Sequence, residues 1–153
     1  MKHIPNNQRR VPDVVPKFWR PKLAESTKVE AKLVHHDLLQ TIAQGGATFA
    51  VLLDWMETGT TYSRMMWLLQ QDGEPLTEEA AQIVNAQMEL YEPVCSRWAR
   101  WGKVQLTQPE LEIALQAAQV FDQLLEIDRN GIAVEAAHWS MKEMLKFRQI
   151  RPG

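Results

Sequence analysis

The sequence predicts an all-α protein, a compact bundle of about five to seven helices preceded by an extended, basic, proline-rich N-terminal arm. From about residue 27 onward, apolar residues recur every three to four positions, and no segment shows the two-residue alternation of a strand. Four of the eight prolines lie within the first 22 residues, where they exclude a helix or a central strand. We therefore divide the chain into an arm, residues 1–22, and a single helical domain, residues 23–153.

The bulk composition is that of an ordinary globular protein. Of the 153 residues, 45% are hydrophobic and 24% are charged, which excludes the disordered class. A single cysteine, Cys95, excludes an intramolecular disulfide and a cysteine-rich metal site. No apolar run approaches 18 residues, and the first 22 residues lack the apolar core of a signal peptide. We expect a cytoplasmic protein that does not bind a membrane.

The charge is divided unevenly between the arm and the body. The arm carries six basic residues against Asp13 alone, whereas the remaining chain carries eleven basic and eighteen acidic residues. Such asymmetry points to a charged partner. The candidate partner-binding residues of the arm are Arg9, Arg10, Lys17, Phe18, Trp19 and Arg20. The alternative is that the arm folds back over its own acidic body as a strap.

Three helices are predicted in the first half of the body. The first covers about residues 27–43 and is capped by Ser26 or Thr27, of which Thr27 has capping-box spacing to Glu30. The second covers about residues 47–57 and the third about residues 61–71, separated by a break at Thr-Gly-Thr. The predicted apolar stripe of the first helix is Val34, Leu38 and Ile42.

The second half predicts three more helices. Thr77 caps the first of them, Pro93 kinks or restarts it, and Gly102 ends it. A helix at about residues 107–129 has the strongest start signal in the chain, and a last helix covers about residues 132–147.

The helix at residues 107–129 is apolar over most of its circumference. We therefore place it at the centre of the bundle. Its narrow polar stripe consists of Glu112, Gln116, Gln119, Gln123 and Glu126. This stripe faces solvent or a second subunit, so a homo-oligomer is one of the expected partners.

Residues 97–103 mix basic and aromatic side chains, as nucleic-acid surfaces do. We expect Trp98 and Trp101 to lie in the core, leaving Arg97 and Arg100 as a solvated edge that ends at Lys103. Arg97 and Arg100 are therefore added to the candidate partner-binding residues.

Other motifs favour structural interpretations. Glu135 and His138 have the spacing of one half of a di-iron motif, but no second half is present. Residues 35–37 read His-His-Asp, for which a hydrogen-bonded histidine is favoured over a metal ligand. Cys95 lacks an adjacent histidine or lysine and is interpreted as a buried thiol. No catalytic residue, metal site or cofactor is therefore predicted.

From about residue 38 to residue 144 the pattern resembles small helical proteins encoded by phages and integrated mobile elements of proteobacteria. The resemblance lies in Arg-Trp-Gly at residues 100–102, Leu-Thr-Gln-Pro-Glu at residues 106–110, and Asp-Gln-Leu-Leu-Glu at residues 122–126. It implies an accessory protein that binds a component of the host.

These observations predict a non-enzymatic protein-interaction module that binds and modulates a host protein. The alternative is a nucleic-acid-binding regulator that uses the basic arm and the edge from Arg97 to Lys103. Because most of the body is acidic, it would repel a duplex, so we favour a protein partner.

Overall fold

A computed structural model describes residues 23–149, apart from the side chains of residues 147 and 149, and contains five helices over that range. They are α1 (Glu25–Ala43), α2 (Phe49–Gln71), α3 (Glu78–Trp101), α4 (Gln108–Ile127) and α5 (Ile132–Gln149). The described range contains no strand, so the predicted all-α class is confirmed. The predicted arm, residues 1–22, lies outside the described residues.

The first four helices form a bundle in which each packs against the next and α4 closes against α1. The fifth helix packs on α2, which also contacts α1 and α3 and, to a lesser extent, α4. The helix at residues 107–129, now α4, packs against α1, α2 and α3. No helix in residues 23–149 is long and apolar enough to span a membrane.

The core consists of two clusters stacked along the bundle. One contains Met65, Leu68 and Leu125 and extends to the start of α5. The other, towards the end where α3 terminates, includes Ile42 and Val94. The second cluster supports the candidate site described below.

The predicted break at residues 58–60 is wrong, because α2 continues through it without interruption. Gly59 is buried, and a Cβ atom added there would lie 1.8 Å from the hydroxyl oxygen of Tyr91 on α3. Thr58 and Thr60 donate hydrogen bonds to backbone carbonyls one turn earlier, so their hydroxyls are satisfied within the helix. The glycine therefore serves a close approach of two helices, not a turn.

The Tyr91 side chain is held where it crosses Gly59. Its hydroxyl donates to the backbone carbonyl of Trp55 (3.1 Å) and accepts from the buried amide of Gln87 (2.7 Å). The Trp55 ring meets the Tyr91 ring edge-on, with 4.7 Å between the ring centres. Burial raises the pKa of Tyr91, so the hydroxyl stays protonated and can donate.

The predicted apolar stripe of α1 is confirmed at Ile42, which is fully buried, but is displaced by one position at Val34 and Leu38. Val34 is exposed, and the buried residues of this helix are Lys28, His35, Leu39 and Ile42. His35 replaces Val34 on the inner face because polar groups of α2 and α4 meet its ring there. The predicted cap at Ser26 or Thr27 is also wrong, since α1 begins at Glu25 after Ala24 with no side-chain cap.

The helix starts in the second half are predicted more accurately. Thr77 caps α3, and Thr107 forms a capping box with Glu110 at the start of α4. The third helix is continuous through Pro93. The fourth helix ends at Ile127 instead of 129, because the buried carboxylate of Asp128 leaves the helix to accept hydrogen bonds from backbone amides at the start of α5.

Gly59→Ala tests the close approach of α2 and α3. Alanine is favoured over glycine in a helix by up to about 1 kcal/mol, but here its methyl group collides with a buried ring. We expect a net loss of about 1–3 kcal/mol in the free energy of unfolding, measured by urea denaturation. Thr58→Ala is the control and should change the free energy of unfolding by less than about 1 kcal/mol. An unchanged or raised stability for Gly59→Ala would contradict the packing described.

Ala118→Asp tests the buried face of α4. Ala118 is 3% exposed and Leu125 is 1% exposed, so an aspartate at either position places an unpaired charge in the core. We expect a loss of about 3–5 kcal/mol, a large part of the stability of a small domain. Gln119→Asp changes the adjacent, exposed residue and should leave the melting temperature within a few degrees of the wild type.

Candidate functional site

The end of α3, the loop that follows it and the turn between α1 and α2 form a corner of the bundle. Gly102 ends the helix in the left-handed conformation (φ 71°), and its amide donates to the carbonyl of Trp98 (2.7 Å). Val104 is buried in the second core cluster and fixes the loop to the body. We call this region the α3 corner and define it by Gln44, Gly45, Arg97, Arg100, Trp101, Lys103, Val104 and Gln105.

Arg97 holds the loop of the α3 corner in place. Its guanidinium donates to both carboxylate oxygens of Glu110 (2.9 and 2.6 Å) and to the backbone carbonyl of Gln105 (3.2 Å). The carboxylate of Glu110 also accepts from the backbone amide of Thr107 (2.8 Å). The hydrogen bond from Arg97 is the main reason that the pKa of Glu110 lies below its usual 4.5. The Arg97 guanidinium is therefore engaged within the chain.

The prediction that Trp101 lies in the core is wrong, since this side chain is 65% exposed. Trp98, one turn earlier, is half-buried and packs against Phe49, the first residue of α2 (5.5 Å between ring centres). Trp101 therefore lies beyond the end of α2, where no other helix of residues 23–149 covers it. Helical spacing alone cannot show where the neighbouring helices end, although the adjacent Gly102 marks Trp101 as a terminal residue.

Two basic side chains flank the exposed indole. The Arg100 guanidinium lies over the Trp101 ring, 5.0 Å from its centre, and both Arg100 and Lys103 are exposed. Within residues 23–149, neither forms an ion pair with an acidic side chain. The corner thus combines an uncovered aromatic surface with two uncompensated positive charges.

A cavity of about 470 Å³ opens beside Trp101. Its size is within the range of sites that accept small ligands or a few side chains of a partner. The sequence indicated only the part of this cavity that the end of α3 lines. Gln44 and Gly45 line the cavity because the tertiary fold brings the end of α1 next to the end of α3. The lining residues are Gln44, Gly45, Arg97, Trp101, Lys103, Val104 and Gln105.

The remaining candidate residues do not join the α3 corner. The arm residues Arg9, Arg10, Lys17, Phe18, Trp19 and Arg20 lie outside the described residues. His138 is exposed on α5, and Cys95 is half-buried, with burial raising the pKa of its thiol. Arg148 pairs with Asp54 (2.8 Å) and Glu57 (3.7 Å), so it attaches α5 to α2.

The predicted polar stripe of α4 is exposed along its whole length. Its three glutamines line one wall of a shallow groove of about 560 Å³ between α3 and α4. This groove lies apart from the α3 corner and contains neither Trp101 nor its basic neighbours.

Comparisons with protein-family models, with curated proteins and with solved structures return no match to this chain.

Arg97→Ala should destabilise the domain, whereas Arg100→Ala should not, because only Arg97 bonds to the loop. We expect a loss of about 1–2 kcal/mol for Arg97→Ala and less than about 0.5 kcal/mol for Arg100→Ala in urea denaturation.

The pKa of Glu110 is lower in the folded chain than in the unfolded chain. The contribution of Glu110 to the free energy of unfolding is therefore fully present above about pH 4.5 and is lost as the pH falls through the folded value. Glu110→Gln should therefore lose stability less steeply than the wild type below about pH 4.5. Equal pH profiles for the two proteins would contradict this assignment.

Proposed function

We propose that this chain is a non-enzymatic protein-interaction module that binds an acidic segment of a partner protein at the α3 corner. The observation that carries the proposal is the exposed Trp101 beside a cavity, flanked by the unpaired charges of Arg100 and Lys103. Tryptophan and arginine are the residue types enriched at the energetic centres of protein interfaces.

Covering Trp101 would supply much of the binding free energy. A buried indole removes up to about 250 Å² from water, and roughly two thirds of that surface is still exposed here. Its burial would contribute on the order of 3–4 kcal/mol before the entropic costs of association. The corner is also rigid, because Arg97 and Glu110 hold its loop before any partner arrives. Less conformational entropy is then lost on binding.

The charge of the site favours an acidic partner. Arg100 and Lys103 provide a local positive region on a body that is acidic overall.

The basic arm also favours an acidic partner, and we propose that it makes a second contact with the same partner. The two sites are separated by α1, because the arm joins the body at Leu23 while Gln44 lies at the other end of that helix.

The arm is long enough to serve the same partner. A helix of 19 residues spans about 28 Å, and 22 extended residues reach up to about 70 Å.

The resemblance to proteins of phages and mobile elements supports a host protein as the partner. We accordingly propose an accessory role in which binding modulates a host protein.

A nucleic-acid-binding regulator is the second candidate. Trp101 between two basic residues also has the character of a base-stacking platform for single strands. The acidic body opposes a polyanion, and Arg97, part of the predicted basic edge, is already bonded within the chain. We therefore favour the protein partner and use the same experiment to separate the two.

Trp101→Ala should abolish partner binding without affecting the fold. In quantitative affinity capture from host lysate, we expect one defined protein that is retained by the wild type and reduced at least tenfold by Trp101→Ala. Arg100→Ala with Lys103→Ala should weaken capture and reduce its sensitivity to salt. Trp67→Ala removes a different exposed tryptophan, on α2, and is the matched control that should bind as the wild type does.

Two outcomes would overturn the protein-partner proposal. Equal capture by the wild type and Trp101→Ala would remove the α3 corner from the interface. Loss of capture after nuclease treatment, with wild-type binding to a labelled single-stranded oligonucleotide, would establish the nucleic-acid alternative.

Deletion of residues 1–16 tests the arm in the same assay. Weaker binding at an unchanged melting temperature supports a contact with the partner, whereas a lower melting temperature with unchanged binding means that the arm is a strap.

A further inference from the structure

A polar cluster lies where α1 packs against α4, apart from the α3 corner, and the proposed interaction function does not use it. His35 Nε2 lies 2.7 Å from one carboxylate oxygen of Asp122, and His36 Nε2 lies 2.9 Å from the other. The three potential ligand atoms lie within 4.8 Å of one another. Two imidazole nitrogens therefore converge on a single carboxylate.

This convergence is unusual for consecutive residues of a helix. Neighbouring side chains on an α-helix leave the axis about 100° apart and normally face different surroundings. Asp122 lies between the two directions, and the two imidazole ring centres are only 4.6 Å apart. The packing of α4 against α1 thus gathers two nitrogen ligands and one oxygen ligand at one point.

The buried member of the cluster is held in position by groups behind it. His35 is 4% exposed, and its Nδ1 lies 3.2 Å from the hydroxyl of Tyr62. The Tyr62 ring stacks on Phe121 (4.3 Å between ring centres), and Phe121 meets the His35 ring edge-on. Metal-binding histidines characteristically use the second ring nitrogen in this way, because that hydrogen bond fixes the ring and its tautomer.

The other two members face solvent. The His36 side chain is 42% exposed and that of Asp122 is 30% exposed, so an ion and its water can reach the cluster. Lys32, whose ammonium group interacts electrostatically with Asp122 and His35, forms an ion pair with Glu126. This pairing neutralises the local positive charge and leaves the carboxylate of Asp122 as the uncompensated charge of the cluster.

From this geometry we infer that His35, His36 and Asp122 form a binding site for a divalent transition-metal ion, for which Zn²⁺ is the best match. The two imidazole nitrogens are borderline ligands that suit Zn²⁺ better than Mg²⁺ or Ca²⁺, and Zn²⁺ also accepts a carboxylate oxygen beside them. With bonds of about 2.0–2.2 Å, tetrahedral ligand atoms lie about 3.3–3.6 Å apart. The two nitrogen–oxygen separations therefore need to open by about half an ångström, and the two nitrogens, which lie within 4.8 Å of one another, need to move closer together. Three protein ligands leave a fourth position for water or for a donor group of a partner.

In this site the ion takes the place of the protons shared between the imidazoles and the carboxylate. The Nε2 nitrogen of His35 then holds the metal, and its proton resides on Nδ1 and is donated to the Tyr62 hydroxyl. The expected absence of a metal site is thus replaced by a proposal. Asp37, which follows the two histidines in the His-His-Asp motif, is not part of the proposed site. The carboxylate of the site comes from Asp122, 86 residues beyond His36.

The test is equilibrium dialysis and titration calorimetry with Zn²⁺ on the full-length, tag-free, chelator-treated chain. We expect one ion per chain, a raised melting temperature on Zn²⁺ addition, and an absorption spectrum of tetrahedral Co²⁺ when Co²⁺ is used instead. His36→Ala and Asp122→Asn should each weaken Zn²⁺ binding at least 100-fold. Tyr62→Phe, which keeps the ring but removes the second hydrogen bond, should weaken it about tenfold.

Matched controls separate this cluster from other donors in the chain. His138→Ala removes an exposed histidine of α5, and Cys95→Ser removes the single thiol, and both should bind Zn²⁺ as the wild type does. His36 is partly exposed, so its alanine variant should stay folded, which circular dichroism will verify. The proposal is overturned if the wild type binds no more Zn²⁺ than folded His36→Ala, or if the affinity depends on His138 or Cys95.

Discussion

The contact of Tyr91 with Gly59 is the constraint on which the arrangement of the bundle depends. A side chain on residue 59 would occupy the space of the Tyr91 hydroxyl, so only glycine lets α3 lie this close to α2. The hydroxyl in turn satisfies a buried backbone carbonyl and the buried amide of Gln87. Because α2 contacts all four other helices, its continuity through residue 59 contributes to the position of each of them.

The α3 corner follows from this arrangement. With α2 beginning at Phe49 and α3 held against it, the last turn of α3 extends past the end of its neighbour. The exposure of Trp101 is therefore a consequence of helix length and of the position at which the two helices meet. The salt bridge between Arg97 and Glu110 then stabilises the loop that forms the remaining wall of the cavity.

The first helix connects the proposed surfaces of the molecule. Its N-terminal end follows the arm, its middle carries His35 and His36, and its C-terminal end leads into Gln44 of the α3 corner. Binding of a metal ion would link α1 to α4 more firmly, and α4 also carries the Glu110 carboxylate that holds the corner loop. The proposed metal site and the loop of the α3 corner are therefore both attached to α4.

The sequence by itself determined the helical class, the caps at Thr77 and Thr107, and the exposed polar stripe of α4, because these depend on local hydrogen bonds and on helical period. Only the tertiary structure decided that residues 49–71 are one helix, since the reason for Gly59 lies on another element. It also decided that His35 is buried and Val34 exposed, because His35 finds its partners 27 and 87 residues away. Local patterns report the period of a helix, whereas the partners of a buried polar group and the ends of neighbouring helices depend on contacts between distant parts of the chain.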